Sequence, residues 1–104
     1  MYGLYAFWND ILVKFPKTQR HLLGQTCAEY LLDILEKTLA SAQATQISEK
    51  IVCLKQTSTK LDALKLLIRL TKDCKCISNA QYLQMESKLQ EIGRMLGGWI
   101  KSIG

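Results

Sequence analysis

One segment restricts the fold more than any other. In LDALKLLIRL, Leu61 to Leu70, apolar residues occur almost all the way round a helix. At 3.6 residues per turn, Leu54, Leu61, Leu64 and Ile68 gather on one side. Val52, Ala63, Leu67 and Leu70 gather nearly opposite, with Leu66 beside them. A helix in a small bundle has one side to bury against its own chain. A further apolar side, in a chain this short, is ordinarily covered by another subunit. A wide stripe wrapped inside one bundle is the other arrangement the pattern allows. The spacing therefore predicts an oligomer interface made of Val52, Ala63, Leu66, Leu67 and Leu70.

The rest of the chain also reads as helix. Leu4, Trp8, Ile11 and Phe15 follow the i, i+4, i+7, i+11 spacing of one face, predicting a first helix from Tyr2 to Lys14. Pro16 ends it, because the residue before proline is pushed out of the helical region. A second helix is expected from Lys17 or Thr18 to Gln43, with Leu23, Cys27, Tyr30, Leu31, Ile34 and Leu35 on its apolar face. The small, polar SAQATQIS (Ser41 to Ser48) marks a turn. The third helix should run from Ser48 to Lys75. Ser78 with Gln81 forms a capping box that opens the fourth. Its stripe is Tyr82, Met85, Leu89, Ile92, Leu96 and Trp99. Short connections between long helices make neighbours antiparallel. The expected fold is all-α, one domain over residues 1–104, an up-down-up-down four-helix bundle.

EIGRMLGGWIKS, Glu91 to Ser102, holds Gly93, Gly97 and Gly98. Glycine inside a helix costs about 1 kcal/mol relative to alanine. Either a neighbouring helix approaches Gly93 and Gly97, which lie one turn apart, or the helix frays from Gly97 onward.

The charge of the third helix is biased. Between Glu49 and Lys75 it has seven basic residues (Lys50, Lys55, Lys60, Lys65, Arg69, Lys72, Lys75) against three acidic ones (Glu49, Asp62, Asp73). Lys65, Arg69 and Lys72 follow i, i+4, i+7 on its polar arc, and Lys55 lies near the edge. The whole chain carries +5, while the second helix sets Glu29, Asp33 and Glu36 against Lys17, Arg20 and Lys37 and so lacks this basic excess. A basic side repeated around an oligomer builds a positive field suited to polyanions. A solvated face that merely keeps the protein in solution has the same sequence pattern. At the corner KFPKTQRH, Lys14, Lys17 and Arg20 sit where backbone N–H groups of a helix start favour anions. A capped surface turn is the plainer reading of that corner.

Other chemistries find little support. CKC (Cys74 to Cys76) is the only close pair among four cysteines, and it lacks the two-residue gap of zinc knuckles and thioredoxin-type sites. Neither a metal nor a cofactor is expected. No Ser/His/Asp set, P-loop or HExxH occurs, and His21 beside Arg20 is a poor base, so no catalytic residue is assigned. No apolar run approaches the roughly 18 residues of a membrane span. The N-terminal MYGLYAFWND lacks a basic leader region, which makes the cytoplasm the expected compartment and reduced thiols the expected state.

FPKTQRHLLGQ (Phe15 to Gln25), KLDALKLLIRL (Lys60 to Leu70) and ISNAQYLQMESKLQEIGRMLGGWIKS (Ile77 to Ser102), with their spacing, resemble Avd proteins. These are the accessory variability determinants of diversity-generating retroelements. They belong to a wider group of bacterial four-helix-bundle proteins that includes the protein encoded in intervening sequences of 23S ribosomal RNA genes. The resemblance covers Leu4 to Ser102. Where the wider group often carries an IPxNIAEG-type segment, this chain reads CAEYLLDILEKTL, as in Avd. Many relatives have a basic residue after LGQ, where this chain has Thr26. The resemblance implies a homopentameric barrel that binds nucleic acid and the retroelement's reverse transcriptase, which copies a template RNA with adenine-directed errors. It implies that the accessory protein is not itself the polymerase. It places Lys17 and Arg20 at the helix corner, Arg69 on the basic arc and Arg94 beside Gly93. A protein-binding bundle with no nucleic-acid role of its own is the alternative function.

Overall fold

The computed structural model describes residues 2–103, with the backbone alone for Tyr2, Gln19, Arg20 and His21. Among them there are four long helical stretches and no strand. The first, α1 (Tyr2–Leu12), stops two residues short of the expected end. Before Pro16 the chain tightens into turns, with the amides of Lys14 and Phe15 donating to the carbonyls of Ile11 and Leu12, both at 3.0 Å. The predicted stripe of Leu4, Trp8, Ile11 and Phe15 is buried throughout. Trp8 meets Phe15 edge-on, ring centroids 5.5 Å apart.

The second stretch, α2, is continuous from Lys17 to Gln43 but not uniform. An α-turn at Lys17–Gln19 leads into a π-helical segment, Arg20–Gly24, and then into regular α-helix, Gln25–Gln43. Nothing in the apolar spacing announced the wide turn. Its end is fixed by α1: the Trp8 indole N–H donates to the Gly24 carbonyl at 3.1 Å. A side chain at Gly24 would overlap Leu12 Cδ1 and come within 3.3 Å of Phe15 Cδ2. The Thr26 hydroxyl donates to the Leu22 carbonyl inside the wide turn, at 2.8 Å.

A three-residue connection, 44–46, joins α2 to α3 (Ile47–Asp73). The end of α3 falls two residues before Lys75 because a Schellman motif closes it. Cys76 N–H donates to Thr71 O and Lys75 N–H to Lys72 O, both at 2.9 Å, with Lys75 at φ 61°. The last helix, α4 (Asn79–Ile103), opens with the predicted capping box. Gln81 N–H donates to Ser78 Oγ at 3.1 Å, and Ser78 N–H to Gln81 Oε1 at 2.9 Å. The helix continues unbroken through Gly97 and Gly98, so no fraying begins there. Gly93 lies against α3: a Cβ there would sit 3.5 Å from both Leu61 Cδ2 and Lys65 Nζ. No atom described lies within 4 Å of such a position at Gly97 or Gly98, so no helix of the same chain closes on them.

Helix contacts run α1–α2, α2–α3, α3–α4 and α4–α1. Lys60 reaching Asp33 and Cys53 reaching Lys37 show that α2 and α3 run antiparallel. The α3–α4 pairings of Lys65 with Gly93 and of Lys72 with Tyr82 show the same for that pair. The centre holds Trp8, Ile34, Leu54, Leu61, Leu64, Ile68, Met85, Leu89 and Leu96, all essentially inaccessible. Each such side chain contributes about 1.5–3 kcal/mol by leaving water. Three buried hydroxyls would offset this if unpaired. Ser41, Thr57 and Thr71 instead donate to the carbonyls of Lys37, Cys53 and Ile68 on their own helices.

Candidate nucleic-acid interface

The seam between α3 and α4 gathers three of the predicted cations. Lys65 reaches across to Gly93 of α4, its ammonium in ordinary contact range of where a Cβ would stand. One and two turns on, Arg69 and Lys72 reach Tyr82. The guanidinium carbon lies 6.0 Å and the ammonium 4.7 Å from the ring centroid. Arg69 is exposed, while Lys65 and Lys72 are half-buried along their stems. Long cationic side chains commonly cover apolar surface this way while the charge stays in water.

The Arg69 guanidinium is held above its ordinary pKa by contact with Tyr82 and by the Asp73 carboxylate. Its closest approach to that carboxylate is from Nε to Oδ1, at 3.6 Å. The pair is exposed, so solvent screens it. Lys60 is committed elsewhere. It bonds Asp33 at 3.3 Å and lies 4.0 Å above the Tyr30 ring, in the α2–α3 seam. Lys37 approaches the same carboxylate at 3.9 Å.

The remaining predicted cations spread out. Lys55 is exposed and lines an open groove with Tyr30, Val52, Thr59 and Ala63, ten residues from Lys65. That is about 15 Å along the helix axis, so Lys55 does not join the α3–α4 cluster. Arg94 is exposed on α4, next to Gly93 and hence level with Lys65. Lys14 and Lys17 are exposed at the α1–α2 corner. Antiparallel packing puts that corner at the same end of the bundle as Lys72. The Arg20 side chain lies outside the described residues.

The predicted second apolar flank of α3 divides. Leu66 is 72% exposed, Val52 55% and Leu70 43%, so this chain's own core leaves them uncovered. Ala63 is half-buried beside them. Leu67 is half-buried and packs against the core cluster. A second apolar surface was not foreseen. Leu32, Leu35, Leu39 and Ala42 of α2 line a groove with Met95 of α4. It lies beyond the reach of α1, whose 11 residues cover less than half the length of the 27-residue α3.

Burial pushes the Cys27 thiol up to about 12, with nearby Cys76 adding to the effect. Cys76 is raised too, by burial and then by Cys74. Among the described residues, no group of three or more His, Cys, Asp or Glu is placed to hold a metal ion. No described helix is long and apolar enough to cross a membrane.

Sequence reasoning read Tyr82 only as one member of an apolar stripe and did not bring it beside Arg69 and Lys72. The available signal was its place at the start of that stripe, opposite the C-terminal cations of α3 once the two helices are laid antiparallel. A comparison with curated proteins gave no match. The model of the family described as bAvd-like matches residues 2–103, from the first turn of α1 to the last of α4, and the chain belongs to that family, in agreement with an Avd accessory variability determinant.

Proposed function

We propose that this chain is a non-catalytic accessory protein of a diversity-generating retroelement. It acts in the cytoplasm as a homo-oligomer, a pentamer by the Avd resemblance. It binds template RNA or cDNA together with the reverse transcriptase. The observation that carries the reading is the row of Lys65, Arg69 and Lys72 along one seam, in a chain of the bAvd-like family. Arg94 stands at the level of Lys65 and extends that row. Lys14, Lys17 and Arg20 extend it at the other end, and Lys55 makes a separate contact point. A ring of copies repeats the row around one surface. Contacts of this kind go to phosphates, so they hold structured RNA with little regard for its sequence.

Val52, Ala63, Leu66 and Leu70 form the contact between copies in this reading, with Leu67 supporting them from the core side. Their exposure supports it: Leu66 and Leu70, with Val52 further along beyond Gln56 and Thr59, leave apolar surface uncovered on a lone chain.

A titration of an RNA hairpin against salt tests the binding claim. Log affinity should fall linearly with log salt, by roughly 0.7–0.9 per phosphate neutralised. K65Q/R69Q/K72Q should weaken binding and flatten the slope by about 2–3 per contacting copy. Unchanged affinity in that variant refutes the assignment. Light scattering of V52S/L66S/L70S tests the assembly. The wild type should be oligomeric and the variant dissociated, and a wild type that stays a lone subunit in dilute solution refutes it.

A second reading, a protein-binding bundle with no nucleic-acid role, is favoured by one observation. Arg69 and Lys60 already have carboxylate partners within the chain, while two apolar surfaces stand open. A gel shift with structured RNA separates the two.

A further inference from the structure

Two cations one turn apart on α3 converge on a single aromatic ring of α4. Lys72 Nζ is 4.7 Å and the Arg69 guanidinium carbon 6.0 Å from the centroid of Tyr82. A free Lys or Arg side chain samples many rotamers, and fixing each one on a ligand costs about 0.5–1.5 kcal/mol. Here Tyr82 engages both charges before any ligand arrives: its ring face attracts the Lys72 ammonium, and Arg69 meets its hydroxyl. The Asp73 carboxylate approaches Arg69 at Nε, 3.6 Å away. Tyr82 itself is half-buried. It starts the stripe that continues through the inaccessible Met85 and Leu89, so the ring is anchored where the cations are not. The Tyr30–Lys60 pair provides a contrast. There the lysine is tied to Asp33 as well, and its one ammonium faces the seam between helices.

From this geometry we infer that Tyr82 is a positioning residue that holds Arg69 and Lys72 side by side as a preformed clip for a nucleic-acid phosphodiester. The inference rests on the nucleic-acid reading above and adds a residue to it. Tyr82 acts through the two cations and does not touch the ligand. Its contribution is to pre-order them, so its loss weakens binding while leaving the number of neutralised phosphates the same.

The experiment uses the full chain in its native assembly and a fluorescent RNA hairpin titrated over a range of salt. Tyr82→Phe keeps the ring under Lys72 but removes the hydroxyl that Arg69 meets, and should bind a few-fold more weakly than wild type. Tyr82 replaced by pentafluorophenylalanine keeps ring size but removes the negative face. It should bind about tenfold more weakly than Tyr82→Phe, with an unchanged salt slope. Because the fluorinated ring is nearly isosteric, its melting temperature should match that of Tyr82→Phe, which separates a lost clip from a damaged fold. R69Q/K72Q should weaken binding and flatten the slope, and in that background fluorination should have no further effect. Equal affinity of the phenylalanine and pentafluorophenylalanine proteins overturns the clip. So does an equal loss on fluorination with and without the two cations, which would mean that the ring stacks on RNA directly. Failure of the wild type to bind the hairpin at all overturns the nucleic-acid reading itself, and is distinguishable from both.

Discussion

Lys75 offers the sharpest test of the packing argument. It closes α3 in the left-handed region, at φ 61°, where a Schellman motif ordinarily has glycine. An L-residue in that conformation costs roughly 1–2 kcal/mol from its Cβ. Lys75→Gly removes that strain but adds freedom to the unfolded chain, which offsets about 0.4–1 kcal/mol. The net gain should be about 0.5–1 kcal/mol, so Tm should rise by about 2–6 °C for a domain of this size. Loss of the charge pulls the other way. A lysine near a helix C-terminus contributes about 0.3–1 kcal/mol at low ionic strength, so melts should be compared at moderate salt. Lys75→Ala is the control, since it loses the charge and keeps the strain, and it should melt at or slightly below wild type. Thermal melts followed by circular dichroism, at one protomer concentration for all variants, give the ranking. A Lys75→Gly protein that melts below wild type would refute the argument. So would a Lys75→Ala protein that gains as much.

Four further outcomes follow from the same packing. Gly24→Ala pushes the end of Leu12 aside and crowds the buried Phe15 ring, which should cancel the gain of about 1 kcal/mol that alanine brings to a helix and leave the urea midpoint no higher than wild type. Gly97→Ala and Gly98→Ala meet nothing in their own chain, so each should raise stability by about 1 kcal/mol; dissociation of the oligomer in either variant would show instead that a second copy lies against that surface. Cys27 should resist maleimide at pH 8 while the exposed Cys74 reacts, with Cys27 labelling only after denaturation. Its folded-state thiol keeps a proton up to about 12 while the unfolded one releases it near 9.0, so stability should fall as pH rises across that window, and Cys27→Ala should flatten the decline.

The elements most readable in advance were those whose signal is local and periodic. The α1 stripe, the capping box at Ser78 and Gln81, and the two-sided character of α3 depend on neighbours within a few residues, and spacing alone displays them. The features that escaped depend on groups distant in sequence. Wheel geometry grouped Leu67 with Leu70, yet Leu67 packs against the core cluster while Leu70 stays exposed. The left-handed turn at Lys75 was hidden because no glycine marked it. Lys55 and Lys65 share an arc on a wheel, but their axial separation is invisible there. Tyr82 acquires its cations only when α4 folds back along α3, so no window of sequence contains that site.

The wide turn at Arg20–Gly24 also changes how the start of α2 must be read. A π-turn takes one residue more than an α-turn, so the helix on either side runs in two different phases. Lys17 therefore points about a quarter-turn away from where the pattern beginning at Gln25 would project it. Removing a residue within the turn would bring the two halves into step and swing the corner's positive charge round the bundle, with every amino acid outside the turn left as it was.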